Sequence, residues 1–275
     1  MTTETKFWKK KYFTMLAGQS VSLITSGILQ MSIIFYLTAK TNSAMVLSIA
    51  TLMGFLPQAV IGPFAGTFVD RHSRKGVMIG ADLMIAATGG FLAVVSVFME
   101  LPIWLIMLVL FVRSIGNAFH SPASSAVTPL MVPQDQLTKC AGYNQTMQAA
   151  VSLISPAAAA FLYSVWSLST IILLDIIGAV LACGVVAVLS IPNPPICPGE
   201  SQNSFFRDMK EGYFELKKNK GLFALLWIGT AYMFFFMPIS ALYLLMSMGY
   251  FRGTPTHEPL AEIAFTGGIL ALIHI

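Results

Sequence analysis

The chain has 275 residues, 56% of them hydrophobic and only 10% charged, and a formal net charge of +4. A water-soluble domain has nowhere to bury that much apolar surface, so the composition excludes one and points to a lipid bilayer. Nor is the positive charge that of a nucleic-acid binder, because the basic residues sit in short runs between long apolar segments.

Seven segments supply the ~20 apolar residues that a spanning helix needs: 12–36, 44–68, 76–98, 103–120, 140–163, 168–190 and 221–246. An eighth begins near Leu260, and the sequence ends within it at Ile275. Lipid offers the backbone no hydrogen-bond partner, so these segments are helices. The period-two alternation of a barrel strand is absent. The apolar run after residues 1–11 is longer than a signal-peptide core and lacks a small-x-small cleavage site, so it is read as the first span. Lys6, Lys9, Lys10 and Lys11 precede that span, Arg71, Arg74 and Lys75 fall in the second loop, Lys139 in the fourth, and Arg207, Lys210, Lys217, Lys218 and Lys220 in the sixth. Only Lys40 and Arg252 fall on the other side, a bias of thirteen to two with Arg113 left inside a span. Basic loops stay in the cytoplasm, so the N-terminus and the long segment after the sixth span are expected there. That segment opens Ile191-Pro192-Asn193-Pro194-Pro195, which ends a helix. It continues through an amphipathic basic stretch, 205–217, suited to lying along the inner leaflet. The expected organisation is a six-helix bundle over 1–190, a cytoplasmic linker over 191–220 and an incomplete second bundle over 221–275. Cys140, Cys183 and Cys197 show no metal spacing and are read as free thiols.

Charge inside the spans is where chemistry is expected. Asp70-Arg71-His72-Ser73-Arg74-Lys75 follows Gly62-x-x-x-Gly66 between the second and third spans. The two glycines stand one turn apart and let another helix approach closely. Asp70 is placed to hold Arg71 or Arg74 and to cap the third helix near Gly76. The cluster reads either as a conformational latch, with Gly62, Gly66, Asp70, Arg71, Arg74 and Lys75 as its parts, or as a solvated turn. Asp82 lies about six residues inside the third span and Arg113 about seven inside the fourth. At ~1.5 Å rise per residue those depths agree within about a turn, which predicts a buried ion pair. Such a pair serves proton coupling or is a static tie. Asp175, on the sixth span, is a second titrating site or a side chain that snorkels outward. Ser155-Pro156 followed by four alanines offers a kinked, small-residue face for helix packing. Phe234, Phe236 and Met237, just before Pro238 in the seventh span, are the candidate substrate pocket, because broken helices at mid-depth are where transporters bind. Phe35, Tyr36, Trp166, Trp227, Tyr232 and Phe235 are read mostly as lipid-facing. Sixteen methionines suit a pliable apolar surface as well as they suit core packing. Glu262 is read as interfacial, and the Asn144 sequon is discounted because it lies at the cytoplasmic end of the fifth span. No nucleotide-binding, metalloprotease or paired-cysteine motif is present. No cofactor or metal site is therefore expected, and pumping would draw on an ion gradient or an ATP-binding partner subunit.

The 62–75 motif resembles the loop between helices two and three of major facilitator transporters, with Ser73 where that family often has glycine. Arg113-Ser114-Ile115-Gly116 resembles the family's helix-four arginine motif, the glycine standing three residues after the arginine instead of four. Ser155-Pro156 stands where its drug/proton antiporters carry a glycine-rich Gly-Pro motif. With Gly80-Ala81-Asp82, Phe111 to Ala123 and Leu137 to Tyr143, the chain looks like the macrolide-efflux branch of those antiporters to about residue 265. The resemblance implies an all-α, polytopic major facilitator fold with a six-helix N-terminal bundle, helix seven and part of helix eight. It implies proton-driven export of macrolides, amphipathic small-molecule drugs, across the bacterial cytoplasmic membrane. Export of another amphipathic solute, such as a siderophore, is the first alternative. The second is a non-transporting membrane fragment or partner subunit, because the four remaining helices of a twelve-helix transporter are missing. On that view the 275-residue product is truncated and gives little resistance alone.

Overall fold

A computed structural model describes residues 3–41, 43–191 and 205–245. All regular structure among them is helical: α1 (Thr3–Thr41), α2 (Ala44–Arg71), α3 (Arg74–Phe98), α4 (Ile103–Met131), α5 (Leu137–Val165), α6 (Leu168–Val188), α7 (Phe205–Lys218) and α8 (Lys220–Leu245), with one 3-10 turn at Gln134–Gln136. The chain divides into two compact units, residues 1–197 and 198–275. Among the described residues, six helices are long and apolar enough to cross a membrane: α1 to α6.

The apolar pattern explains the bundle. On α6 the buried residues Leu168, Ile171, Ile172, Asp175, Gly178, Ala179, Ala182 and Val186 form one stripe. Leu173, Ile177, Val180 and Leu181 on the opposite face are exposed and equally apolar. A helix that is hydrophobic all round belongs in lipid rather than on a soluble surface. Two apolar clusters close the ends of the bundle. One gathers Tyr12, Met15, Val69, Met78, Val127 and Cys140 at the end carrying the N-terminus. The other gathers Leu29, Ile33, Leu37, Leu92, Ile106 and Ile171 at the opposite end. The buried polar residues Gln19, Thr25, Ser32, Asp82, Arg113, Ser114, Ser155 and Asp175 come from α1, α3, α4, α5 and α6.

Helix packing is interleaved. The main contacts run α2 to α4, α4 to α3, α3 to α6, α6 to α1 and α1 to α5. Exchanging α1–α3 for α4–α6 leaves this series unchanged, and the two triplets enter from opposite ends. The bundle is thus built from two inverted three-helix repeats.

Several helices run past their sequence bounds: α1 starts at Thr3 rather than near Tyr12, so Lys6, Lys9, Lys10 and Lys11 lie within it, and α5 starts at Leu137 rather than near Cys140. The fourth span was expected to exit near His120, but α4 continues through Pro122 and Pro129 to Met131. A proline inside a bundle helix is tolerated because neighbouring groups satisfy the freed carbonyl.

In the second unit, α7 carries Arg207–Glu211 and Lys218–Glu215 ion pairs along its polar side. It meets α8 through Tyr213 and Phe223, ring centroids 6.2 Å apart, after a bend at Asn219, whose Oδ1 accepts from the Leu222 amide. Phe234, Phe236 and Met237 fall on α8, but their side chains lie outside the described residues. So do the eighth segment, Cys197, Arg252 and Glu262.

Candidate functional site

Arg113 and Asp175 form the deepest charged contact. Arg113 Nη1 donates to Asp175 Oδ2 at 2.6 Å, and both side chains are buried. Ser26 on α1 joins them: its hydroxyl donates to Asp175 Oδ1 at 2.7 Å and accepts from Arg113 Nη2 at 3.3 Å. Three helices, α1, α4 and α6, therefore meet on one ionic knot. A charged pair at this depth is stable only when its remaining hydrogen-bonding positions are also filled, and Ser26 fills two of them.

The expected Asp82–Arg113 pair is not formed. The cause is the longer α4, which places Arg113 about 27 Å from its own C-terminal end at ~1.5 Å per residue. Arg113 is level with Gly89 on α3, where an added methyl would sit 3.8 Å from Nη1. Asp82 lies roughly 10 Å from that level along the helix, too far for contact. Its neighbour is His120, Nε2 lying 3.4 Å from Asp82 Oδ1. Asp82 Oδ2 and His120 Nε2 are buried and have no hydrogen-bond partner among the described residues. The approach is set one turn away by Gly116, where a methyl would lie 2.7 Å from Ile85 Cγ1. His120 carries no signal of this contact in the sequence, where it stands at the expected exit of the fourth span. Asp175 does not snorkel: it is fully buried.

At the second loop, Arg74 lies 3.6 Å from an exposed Asp70. Asp70 does not cap α3; Ser73 does, its hydroxyl accepting from the Gly76 amide at 3.3 Å. Serine is a good N-cap because its short side chain reaches that amide. Lys75 turns inward along the bundle end and donates to the carbonyls of Ala187 (2.7 Å) and Leu189 (2.9 Å), closing the C-terminus of α6. Gly62 and Gly66 have open space: among the described residues, a methyl on either would meet nothing within 4 Å. Ser155, by contrast, sits in a tight crossing of α5 and α1, where a methyl on Gly27 would be 2.5 Å from its hydroxyl. Pro156 follows it inside α5.

A family model described as "Major Facilitator Superfamily" matches residues 15–275. The chain is 59% identical over 263 residues to "Macrolide efflux protein A" of Streptococcus pyogenes, an alignment covering 96% of this chain and 65% of that protein. It is 56% identical over 229 residues to "Macrolide efflux protein A" of Enterococcus faecalis, covering 83% of this chain and 71% of that one. It is 25% identical over 223 residues to the MFS-type transporter YkuC of Bacillus subtilis, covering 78% and 50% respectively. The chain thus spans 65% of the length of the streptococcal relative.

Proposed function

Because the chain belongs to the major facilitator superfamily, whose members are transporters rather than enzymes, we propose that it serves proton-driven export of macrolide antibiotics from a bacterial cell. The substrate class is that named for the streptococcal and enterococcal relatives. The observation that carries the transport reading is the buried ionic layer. Ionisable groups inside a membrane bundle are expensive, and a protein that merely sits in the bilayer has no use for them. Residues 1–190 serve as the first helical bundle, 191–220 as a linker and 221–275 as helices of a second bundle. Gly62, Gly66, Asp70, Arg71, Arg74 and Lys75 form the latch region. Phe234, Phe236 and Met237 are assigned to the drug pocket. The N-terminus and the linker face the cytoplasm, following the thirteen-to-two bias of basic residues.

The test joins the chain to the remaining length of the streptococcal relative and expresses it in a macrolide-sensitive strain. Radiolabelled macrolide should accumulate less than in cells without the protein, and an uncoupler should abolish the difference. Equal accumulation despite verified insertion overturns the proposal. In the same cells, in a cysteine-free background, Glu100→Cys should react with an impermeant thiol reagent from outside and Asp135→Cys only after permeabilisation. The opposite pattern reverses the orientation.

A further inference from the structure

The two inverted repeats carry carboxylates at matching places. Asp82 stands near the start of α3 and Asp175 near the start of α6. Both are buried, 4% and 0% exposed. Each faces the first helix of the other repeat: Asp82 meets His120 on α4, and Asp175 meets Ser26 on α1. Three residues beyond each carboxylate the same helices are drawn together by a glycine. Ile85 of α3 packs on Gly116 of α4, and Gly178 of α6 packs on Thr25 of α1, where a methyl would overlap the threonine hydroxyl.

The surroundings of the two carboxylates differ in the way that matters for a proton. Both oxygens of Asp175 are occupied by donors, Arg113 on one and Ser26 on the other. Among the described residues, Asp82 Oδ2 is buried without a hydrogen-bond partner, and Oδ1 faces an imidazole nitrogen that also has none. The remaining ionisable side chains on the helices packed against α3 are Arg113 on α4, Asp175 and Cys183 on α6, and Asp70 and Arg71 at the end of α2. Arg113 is committed to Asp175 and Ser26.

We propose that Asp82 and His120 together form the proton-binding site of this bundle, and that Asp175 with Arg113 is its fixed, non-exchanging counterpart. The pair takes up one proton, held on Asp82 Oδ2, the oxygen that has no hydrogen-bond partner among the described residues, and passes from net negative to neutral. Neutralising it removes an uncompensated carboxylate facing α4, which frees α3 and α4 to change their packing. What the proton is used for rests on the transport reading above. That the site binds one does not, and the test reads binding directly.

Purified protein in lipid is titrated while infrared difference spectra are recorded. The parent should show a reversible band at the high-frequency edge, where a protonated carboxyl without a hydrogen-bond partner absorbs. Asp82→Asn should abolish it. His120→Gln should move its titration midpoint by ~1 pH unit or more, the scale on which a contacting ionisable neighbour acts. Ser26→Ala, which loosens Asp175, should leave it in place. Absence of the band from the parent, its persistence in Asp82→Asn, an unmoved midpoint in His120→Gln, or a moved one in Ser26→Ala would each overturn the assignment. Failed drug export with an intact titration would instead count against the transport reading alone.

Discussion

Arg113 donates to Asp175 and Ser26 on two different helices, so it ties α4 to both α6 and α1. Replacing Asp175 with leucine strands a guanidinium in the core and should cost ~3–5 kcal/mol. Adding Arg113→Met removes the stranded charge, and the double variant should recover most of that loss. Thermal unfolding in detergent, followed by circular dichroism, compares the two. A double variant no more stable than Asp175→Leu would show that the knot contributes more than charge compensation. The sequence marked Asp82, Arg113 and Asp175 because an ionisable residue in an apolar run stands out against its neighbours. Their partners were not legible. Pairing depends on which helices touch and at what level, and an α4 ending at His120 placed Arg113 about 16 Å too near the bundle end, at ~1.5 Å per residue. Ser26 gave no signal at all, since a serine in a spanning helix ordinarily bonds its own backbone.

Helix contacts in the bundle divide the glycines into two kinds. Gly27 and Gly178 sit where α1 crosses α5 and α6, with Ser155 and Thr25 against them. Among the described residues, Gly62 and Gly66 on α2 face open space. Alanine at Gly27 or Gly178 overpacks a closed contact and should destabilise by ~1–3 kcal/mol. Alanine at Gly62 or Gly66 should leave the unfolding midpoint of this chain unchanged. A destabilisation of equal size at Gly62 would mean that α2 packs on that side after all. The Gly-x-x-x-Gly spacing announced a close-packing face, but a spacing does not say which helix fills it. Lys75 shows the same limit from the other direction. Its charge was read as part of the loop cluster, yet its ammonium closes the α6 carbonyls, where a cation is favoured by the helix dipole.

For the whole molecule, the helical class and the spans were the most legible features, because hydrocarbon thickness and backbone hydrogen bonding leave few alternatives. The order in which the spans pack was not legible, and it has a consequence for how the protein is made. The ribosome delivers α1, α2 and α3 first, and these three make few contacts with one another. The main partners of α1 are α5 and α6, that of α2 is α4, and those of α3 are α4 and α6. During synthesis the early helices therefore wait in the bilayer as separate rods, with Asp82 lacking its histidine, until the second triplet arrives to thread between them. A nascent chain arrested after α3 should be degraded quickly in a pulse-chase experiment, and one arrested after α6 should persist. Equal lifetimes would show that the first triplet finds a stable arrangement of its own. On this packing order, substitutions in α4 should act on the survival of helices made well before it.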